Sequence, residues 1–530
     1  MEAATRLAER EAIAGVWKPG QHLALTADAD MCSRDGAPVS WSSGWSSGWS
    51  SGVDRLQEVD GAFALAWTDA QGRLHLARDA IGQRSLYWGR LPQGGIAWGT
   101  RLHDVLRAGV ARTLDHVAVT TFLTTAYVPG SATLVAGIRA VPAGVELVFD
   151  PRSSEPAAQP FWTLPASPDA FGDEHVLRAR LRATLDDAVA RALPDGPLGA
   201  SLSGGIDSSL VVALARKRRP VHAFSISFGP EHRNELEWSG AVAAHTGASH
   251  HVVMVRPRDV VDRLDETVGA LSEPNGDPLT VPNLIMFEAA ASAGLDVLVN
   301  GEGGDPCFGG PKNSPMLLSE LYGGTSREQA YLRAHQKLWD ELDQALEPDF
   351  AAGIPPGALE ALVSPWFQDP RWPSFLERLL AINVSWKGAG HILPKVEHLG
   401  GRMGVRARSP LFDRRVVELA CTIPAPLKRR GSIEKYLLKE AVRDLLPAAV
   451  VDRPKSGMMV PVEGWFTDPL SAFARERLLD GLAPRRIIRR DYLERLVARQ
   501  LPGLRPRQGV KIWLLLTLES WLRTVYDQAR

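Results

Sequence analysis

Between residues 60 and 150 the apolar positions come in short runs broken by polar or glycine-containing turns. Gly61–Trp67, Leu74–Arg78 and Leu86–Gly89, with Asp69-Ala70-Gln71-Gly72 between the first two, predict an antiparallel sheet layer. A Pro/Ser-rich passage from Asp150 to Pro168 marks a boundary. From Gly172 the pattern changes to strand–helix alternation. Helices are predicted over Glu174–Leu193, from Asp207, and over Glu235–Thr246 and Arg258–Leu271. The intervening strands are Leu198–Leu202, Val221–Phe228, His250–Val255 and Asp296–Asn300. Alternation of this kind argues for a parallel α/β sheet, with right-handed crossovers placing the loops after the strands at one carboxyl edge. Beyond Asn313 the chain reads as mostly helical. Its last helix, Val510–Tyr526, gathers Leu514, Leu518, Trp521, Leu522 and Val525 on one face, as core packing requires.

At 530 residues the chain is too long for one core and two or three domains are expected; the Pro/Ser-rich boundary divides it at 1–165 and 166–530. Lys+Arg 60 against Asp+Glu 61 leaves a net charge of −1, so no nucleic-acid partner is indicated. Cys32, Cys307 and Cys421 fit neither a disulfide framework nor zinc spacing, which points to a reducing, cytoplasmic location. The first twenty residues lack a signal-peptide core, and no run of 18 or more apolar residues suggests a membrane span. Trp41-Ser42-Ser43-Gly44, repeated at Trp45–Gly48 and Trp49–Gly52, reads as a duplicated loop, because its Ser and Gly oppose helix formation. His250 and His251 are adjacent on a strand and point to opposite faces, so they are expected to be structural rather than a metal pair.

Ser203-Gly204-Gly205-Ile206-Asp207-Ser208 follows the apolar run Leu198–Leu202 and opens a helix. Glycines let backbone N–H groups approach an anion, the helix N-terminus favours negative charge, and Asp207 at the mouth can hold Mg²⁺. No Lys follows the glycines as it does in a kinase-type loop. The motif instead resembles the PP-loop of ATP pyrophosphatases, which split ATP between the α and β phosphates.

Five further segments widen the resemblance. Asp60-Gly61-Ala62-Phe63-Ala64 and Arg78-Asp79-Ala80-Ile81-Gly82 with Leu86-Tyr87 resemble a glutamine amidotransferase domain. Asn300-Gly301-Glu302-Gly303-Gly304-Asp305, then Arg406–Asp413 and Arg453-Pro454-Lys455-Ser456-Gly457, complete the pattern of the asparagine synthetase family, with its β-lactam synthetase and lasso-peptide cyclase relatives. The resemblance implies a degenerate N-terminal-nucleophile amidotransferase sandwich of α+β type. A PP-loop synthetase domain with a parallel sheet and a helical extension would follow it. The implied cofactors are ATP and Mg²⁺. Asp207 and Asp305 would hold the metal. Leu202, Ser203, Gly204, Gly205, Ser208, Ile226, Asn300 and Gly301 would cradle the nucleotide. Glu302 would face the acyl-adenylate, Lys455 would offset charge developing on the oxyanion and pyrophosphate, and Lys435 would reach the same phosphates.

The departures are equally informative. Family amidotransferases begin with a nucleophilic Cys, whereas here Met1 precedes Glu2 and the first cysteine is Cys32. A start at Met31 would leave too little chain ahead of Asp60 for the strands expected. The glutamine-pocket motifs R-G-P-D and N-G-E-I-Y-N are also missing from the sequence, so loss of glutaminase activity is expected. Pro306 replaces an acidic residue, and Cys307 reads as a small buried hydrophobe. Arg406 stands where the family has Glu and is expected to alter the substrate-side pocket. The resulting expectation is an AMP-forming carbon–nitrogen ligase, of lasso-peptide macrolactam type, acting on a peptide or small-molecule carboxylate. A leader-peptide-binding protein and a protease are the partners this implies. Asparagine synthesis is the alternative. Adenylation of tRNA bases is disfavoured by the lack of paired cysteines or a basic module, and a decayed scaffold by the intact motifs.

Overall fold

The structure, a computed structural model, describes residues 13–21, 23, 26–33, 52–166, 172–453, 458–503 and 507–528. The Trp-Ser-Ser-Gly repeat, apart from the backbone at Gly52, and Lys455 lie outside the described residues. The first half of the chain supplies nine strands: β1 Ala14–Trp17, β2 Thr26–Ser33, β3 Val59–Thr68, β4 Leu74–Arg78, β5 Tyr87–Arg90, β6 Ile96–Gly99, β7 Ile138–Ala140, β8 Val145–Phe149 and β9 Ala157–Pro160. They form two antiparallel sheets, ordered β2-β3-β4-β8-β9 and β1-β6-β5-β7. The single predicted layer is thus a pair. Ala64, Ala66, Leu74, Leu76, Leu147 and Phe149 of the larger sheet pack against Trp17, Trp88, Ile96 and Trp98 of the smaller. The opposite face of β3 is apolar as well, with Phe63, Leu65 and Trp67 covered by Leu56 and Phe161. Burial on both faces explains why the alternation along β3 is of size rather than polarity.

The second sheet contains β10 Leu198–Ser201, β11 Val221–Ser227, β12 Ser249–Met254, β13 Val297–Val299 and β14 Arg406–Arg408. All neighbours are parallel, in the order β12-β11-β10-β13-β14. The direction of winding reverses between β10 and β13, and a crevice opens at their carboxyl ends. The helix Glu174–Ala192 starts where the Asp173 side chain accepts from the amides of His175 and Val176, and it buries Leu177, Leu181, Leu185 and Val189. The closing helix Gln508–Trp521 is buried all round except near Val510, not on one face alone. It is the axis of the largest core, which also draws in residues 102–138 of the first half.

The Arg78-Asp79 motif joins the two halves. Asp79 is fully buried and accepts from the amides of Ile81, Gly82, Gln83 and Arg84, which fixes the loop after β4. The Arg78 guanidinium donates to Arg84 O at 2.5 Å and Gly82 O at 3.0 Å within that loop. It also donates to Ala389 O at 2.9 Å, in the helical extension. Ser85 reinforces the joint, donating from N and Oγ to Glu397 Oε2.

Candidate active site

Every loop that leaves a carboxyl end of β10 or β13 carries part of one site. After β10 the chain turns through Gly204 at φ +74° and enters the helix Ile206–Arg216. A Cβ on Gly204 would stand 2.6 Å from Ser239 N and Trp238 Cβ, so only glycine fits. The turn is tied by Ser203 N to Ser208 Oγ (3.1 Å) and Ser203 Oγ to Ser208 Oγ (3.0 Å), with Ser208 Oγ donating to Gly205 O (3.2 Å). The first-turn amides of Ile206, Asp207 and Ser208 precede the first helical bond, from Ser209 N to Gly205 O. They are available to an anion.

The loop after β13 presses onto this turn. A Cβ on Gly301 would lie 2.4 Å from Ser208 N, and one on Gly304 would lie 2.1 Å from Asp207 Oδ1. Asn300 is buried, receives the Glu302 amide on Oδ1 at 3.0 Å, and leaves Nδ2 without a partner among the described residues. An orphaned buried donor beside a glycine-lined, amide-rich turn fits a nucleotide. Ile226 is buried on β11 next to the turn. The Leu202 amide already donates to Phe224 O, and its carbonyl accepts from Ser225 Oγ at 2.5 Å, so its free contribution is its side chain.

Asp207 and Asp305 converge, as the adjacency of β10 and β13 predicts. Between them stands the Lys435 ammonium, 2.5 Å from Asp207 Oδ2 and 2.5 Å from Asp305 Oδ1. Lys435 is 1% exposed and sits at φ +54°, a left-handed conformation that costs a non-glycine residue about 1 kcal/mol. Its position marks the point where two carboxylates call for a cation. Among the described residues no third His, Cys, Asp or Glu joins them, so a bound Mg²⁺ would complete its shell with phosphate and water oxygens.

Arg453 pairs with Glu235 and lies over the Trp238 ring, whose Cβ faces Gly204. Cys307 is buried with Sγ 3.5 Å from Leu411 O, and burial pushes its thiol up, so it is a packed hydrophobe. His250 bonds Ser225 Oγ at 2.8 Å, while His251 bonds His222 at 3.1 Å and stacks on Phe224. Both are structural.

One expectation is corrected. Arg406 does not line a substrate pocket: it opens β14 opposite Val297, at the amino end of the sheet, and is exposed. Asn300 N instead meets Arg408 O at the carboxyl end. Two residues of strand separate the two ends, roughly 7 Å. Arg408 itself turns back to Ala192 O (3.1 Å) and Asp30 (2.8 Å), another bond between the halves.

A parallel sheet with its winding reversal at a Ser-Gly-Gly-x-Asp-Ser turn, with Asp207, Asp305 and Lys435 gathered at its mouth, fits an ATP-dependent amide ligase. Residues 180–523 match the family model described as asparagine synthase, and residues 48–162 match a glutamine amidotransferase domain. The chain belongs to the asparagine synthase family. It is 29% identical over 448 residues to a putative glutamine-hydrolyzing asparagine synthetase of Mycobacterium bovis, covering 77% of this chain and 68% of that one. It is 22% identical over 495 residues to the glutamine-hydrolyzing asparagine synthetase 1 of Bacillus subtilis, covering 87% and 77%. The carboxyethyl-arginine beta-lactam-synthase of Streptomyces clavuligerus is 28% identical over 354 residues, covering 66% and 56%.

Proposed function

We propose that the chain adenylates a carboxylate, releases pyrophosphate, and joins the acyl group to an amine of the substrate itself, as a macrolactam-forming cyclase of the lasso-peptide type. One contrast carries the reading. The turn after β10 and the loop after β13 meet with Asp207, Asp305 and Lys435 drawn together, whereas Cys32 lies inside β2, paired with Asp60, and the sequence lacks the glutamine-pocket motifs. Residues 1–165 would then serve as a degenerate amidotransferase domain and 166–530 as the ligase.

In this reading the amides of Gly204–Ser208 hold the ATP phosphates, and Ile226, Asn300, Gly301 and the Leu202 side chain hold the adenosine. Asp207 and Asp305 would hold Mg²⁺, which when bound screens phosphate charge. Lys435 then exchanges carboxylates for phosphate oxygens. The substrate carboxylate attacks the α-phosphorus, the bond to the bridging oxygen breaks, and pyrophosphate leaves. Glu302 accepts a proton from the amine as it attacks the acyl carbon, and AMP departs. Lys455 balances the oxyanion. An amine on the same substrate is delivered without a second binding event, which supplies part of the barrier reduction.

The names of the relatives favour a second reading, conversion of aspartate to asparagine. The deciding experiment supplies ATP and Mg²⁺ with aspartate plus ammonium, with aspartate plus glutamine, or with neither. Products are resolved as AMP, ADP and asparagine. Asparagine formed from glutamine would overturn both the cyclase reading and the loss of glutaminase. The cyclase reading expects no asparagine in either arm. It expects AMP and a product lighter by one water with a precursor peptide, supplied with its leader-binding protein and protease.

A further inference from the structure

The cation site is assembled from three segments far apart in the chain. Asp207 leaves β10, Asp305 leaves β13, and Lys435 follows a two-stranded hairpin in which Arg429 pairs with Glu434 and Arg430 with Ile433. Two consecutive residues bridge the last two segments. Asn313 is buried, and its Nδ2 donates to Gly310 O at 3.1 Å. Gly310 N donates in turn to Asp305 O at 3.2 Å, and a Cβ on Gly310 would lie 2.3 Å from Asp305 Oδ1. Asn313 therefore props the loop that carries the carboxylate. Ser314 opens the helix Ser314–Tyr322, and its Oγ accepts from the Arg429 guanidinium at 2.6 Å. Arg429 stands opposite Glu434, the residue before Lys435, so this bond holds the lysine from its amino side.

A second clamp acts from the carboxyl side. Arg430 pairs with Glu174 at 2.6 Å and donates to Tyr436 Oη at 2.6 Å, while Tyr436 Oη donates to Glu174 at 2.8 Å. It ties the chain after Lys435 to the helix Glu174–Ala192, whereas the Ser314 bond ties the chain before it to the Asp305 side. Asn313 Oδ1 also accepts from Asn383 Nδ2 at 3.1 Å. Asn383 opens the segment whose Ala389 carbonyl receives Arg78, so the same bridge reaches the joint with the first half.

Resting on the ligase reading above, we propose that Asn313 and Ser314 are positioning residues for the cation site, Asn313 setting the Asp305 carboxylate and Ser314 the Lys435 ammonium in register with it. Neither touches a reacting atom. Together they keep Asp305 in place for a metal while Lys435 passes from carboxylate to phosphate oxygens, a step that a shift of about 1 Å would impair. A charge-assisted bond such as Arg429 to Ser314 is worth about tenfold in an equilibrium.

The test uses the full chain. Amine acylation at pH 8, read by mass spectrometry, reports how often Lys435 leaves its carboxylates. Lys395 and Lys511, both buried and each paired with a carboxylate, are the internal references. Ser314→Ala should raise Lys435 labelling about tenfold and leave the references within about twofold. Ser314→Thr keeps the hydroxyl and should restore protection. Arg429→Gln cuts the same bond from the other side and should reproduce the rise, which keeps the test open if one variant folds poorly. Unchanged Lys435 labelling in both, or a rise shared by Lys395 and Lys511, would overturn the proposal. Binding of a fluorescent ATP analogue is then titrated with Mg²⁺. Asn313→Ala should raise the Mg²⁺ needed for half-maximal binding about tenfold, whereas Ser314→Ala should leave that midpoint within about twofold and weaken binding at saturating Mg²⁺. Equal midpoints in the two variants would overturn the separate roles given to the two residues. An unaltered protein that binds no analogue would count against the ligase reading, and the labelling would then decide the positioning of Lys435 alone.

Discussion

Gly301→Ala is the sharpest perturbation the site allows. The glycine has no left-handed φ, so the backbone itself tolerates alanine. The cost is purely one of space. The added Cβ would meet Ser208 N at 2.4 Å, Asp207 C at 2.6 Å and Ser208 Cα at 2.7 Å. All three are backbone atoms of the phosphate-facing turn, so no side chain can rotate away. Ordinary contact requires the loops after β10 and β13 to separate by about 1 Å, an overpacking cost of about 1–3 kcal/mol. The same displacement moves the first-turn amides and Asp207 relative to Asn300 and Asp305. A misplacement of about 1 Å can lower activity about a hundredfold. Titration with a fluorescent ATP analogue should therefore show at least tenfold weaker binding, and pyrophosphate release should fall about a hundredfold. Gly196→Ala, with no atom within 4 Å of its Cβ, is the control and should match the unaltered protein. Binding by the Gly301→Ala protein within threefold of the unaltered protein would refute the close approach of the two loops.

Asp207→Ala and Asp305→Ala should each abolish ATP cleavage, and normal turnover in either would remove them from the metal and phosphate roles. Lys435→Met strips the buried cation from between two carboxylates, at a cost of about 2–4 kcal/mol after allowing for the partial exposure of Asp305. Thermal melts should show a destabilisation that millimolar Mg²⁺ largely reverses, and a variant as stable as the original without Mg²⁺ would contradict the geometry. Burial pushes the Glu273 carboxyl up to about 8. The folded chain thus holds a proton that the unfolded chain releases above about 4.5, so stability falls as pH rises between these values. Glu273→Gln should flatten that part of the stability profile, measured by denaturation at pH 5 and pH 8, and an unchanged slope would clear Glu273 of the effect. Cys32→Ala should leave ligase activity intact, whereas loss of a glutamine-dependent product would return the cysteine to catalysis.

The part of the site that was legible in the sequence is the part built from local geometry. Ser203–Ser208 and Asn300–Asp305 announce themselves because glycines, a strand before and a helix after are contiguous in the chain. Asp207 and Asp305 could be paired because the family resemblance assigned both to the metal. Arg406 was misplaced because a motif gives order along the chain but not which end of a three-residue strand faces the crevice. Lys435 was assigned to the phosphates by resemblance, but its seat between Asp207 and Asp305 joins positions more than 100 residues apart, and no local pattern carries that packing. The second sheet of the first half was hidden for a related reason, since β3 is apolar on both faces and offers no polar side to read.

The Arg78 joint sets a rule for how this chain can drift. Its bond to the extension uses the carbonyl of Ala389, which any residue could supply, yet a Cβ on Gly82 would lie 2.8 Å from the Ala389 Cβ. Positions 82 and 389 are therefore jointly held small, although hundreds of residues apart and outside the chemistry. Ala389 lies in the segment Asn383–Ile392, so enlarging either member of the pair would push that segment away from the first half. A first domain relieved of its own reaction would still be kept under selection, as the template against which the ligase half holds its shape.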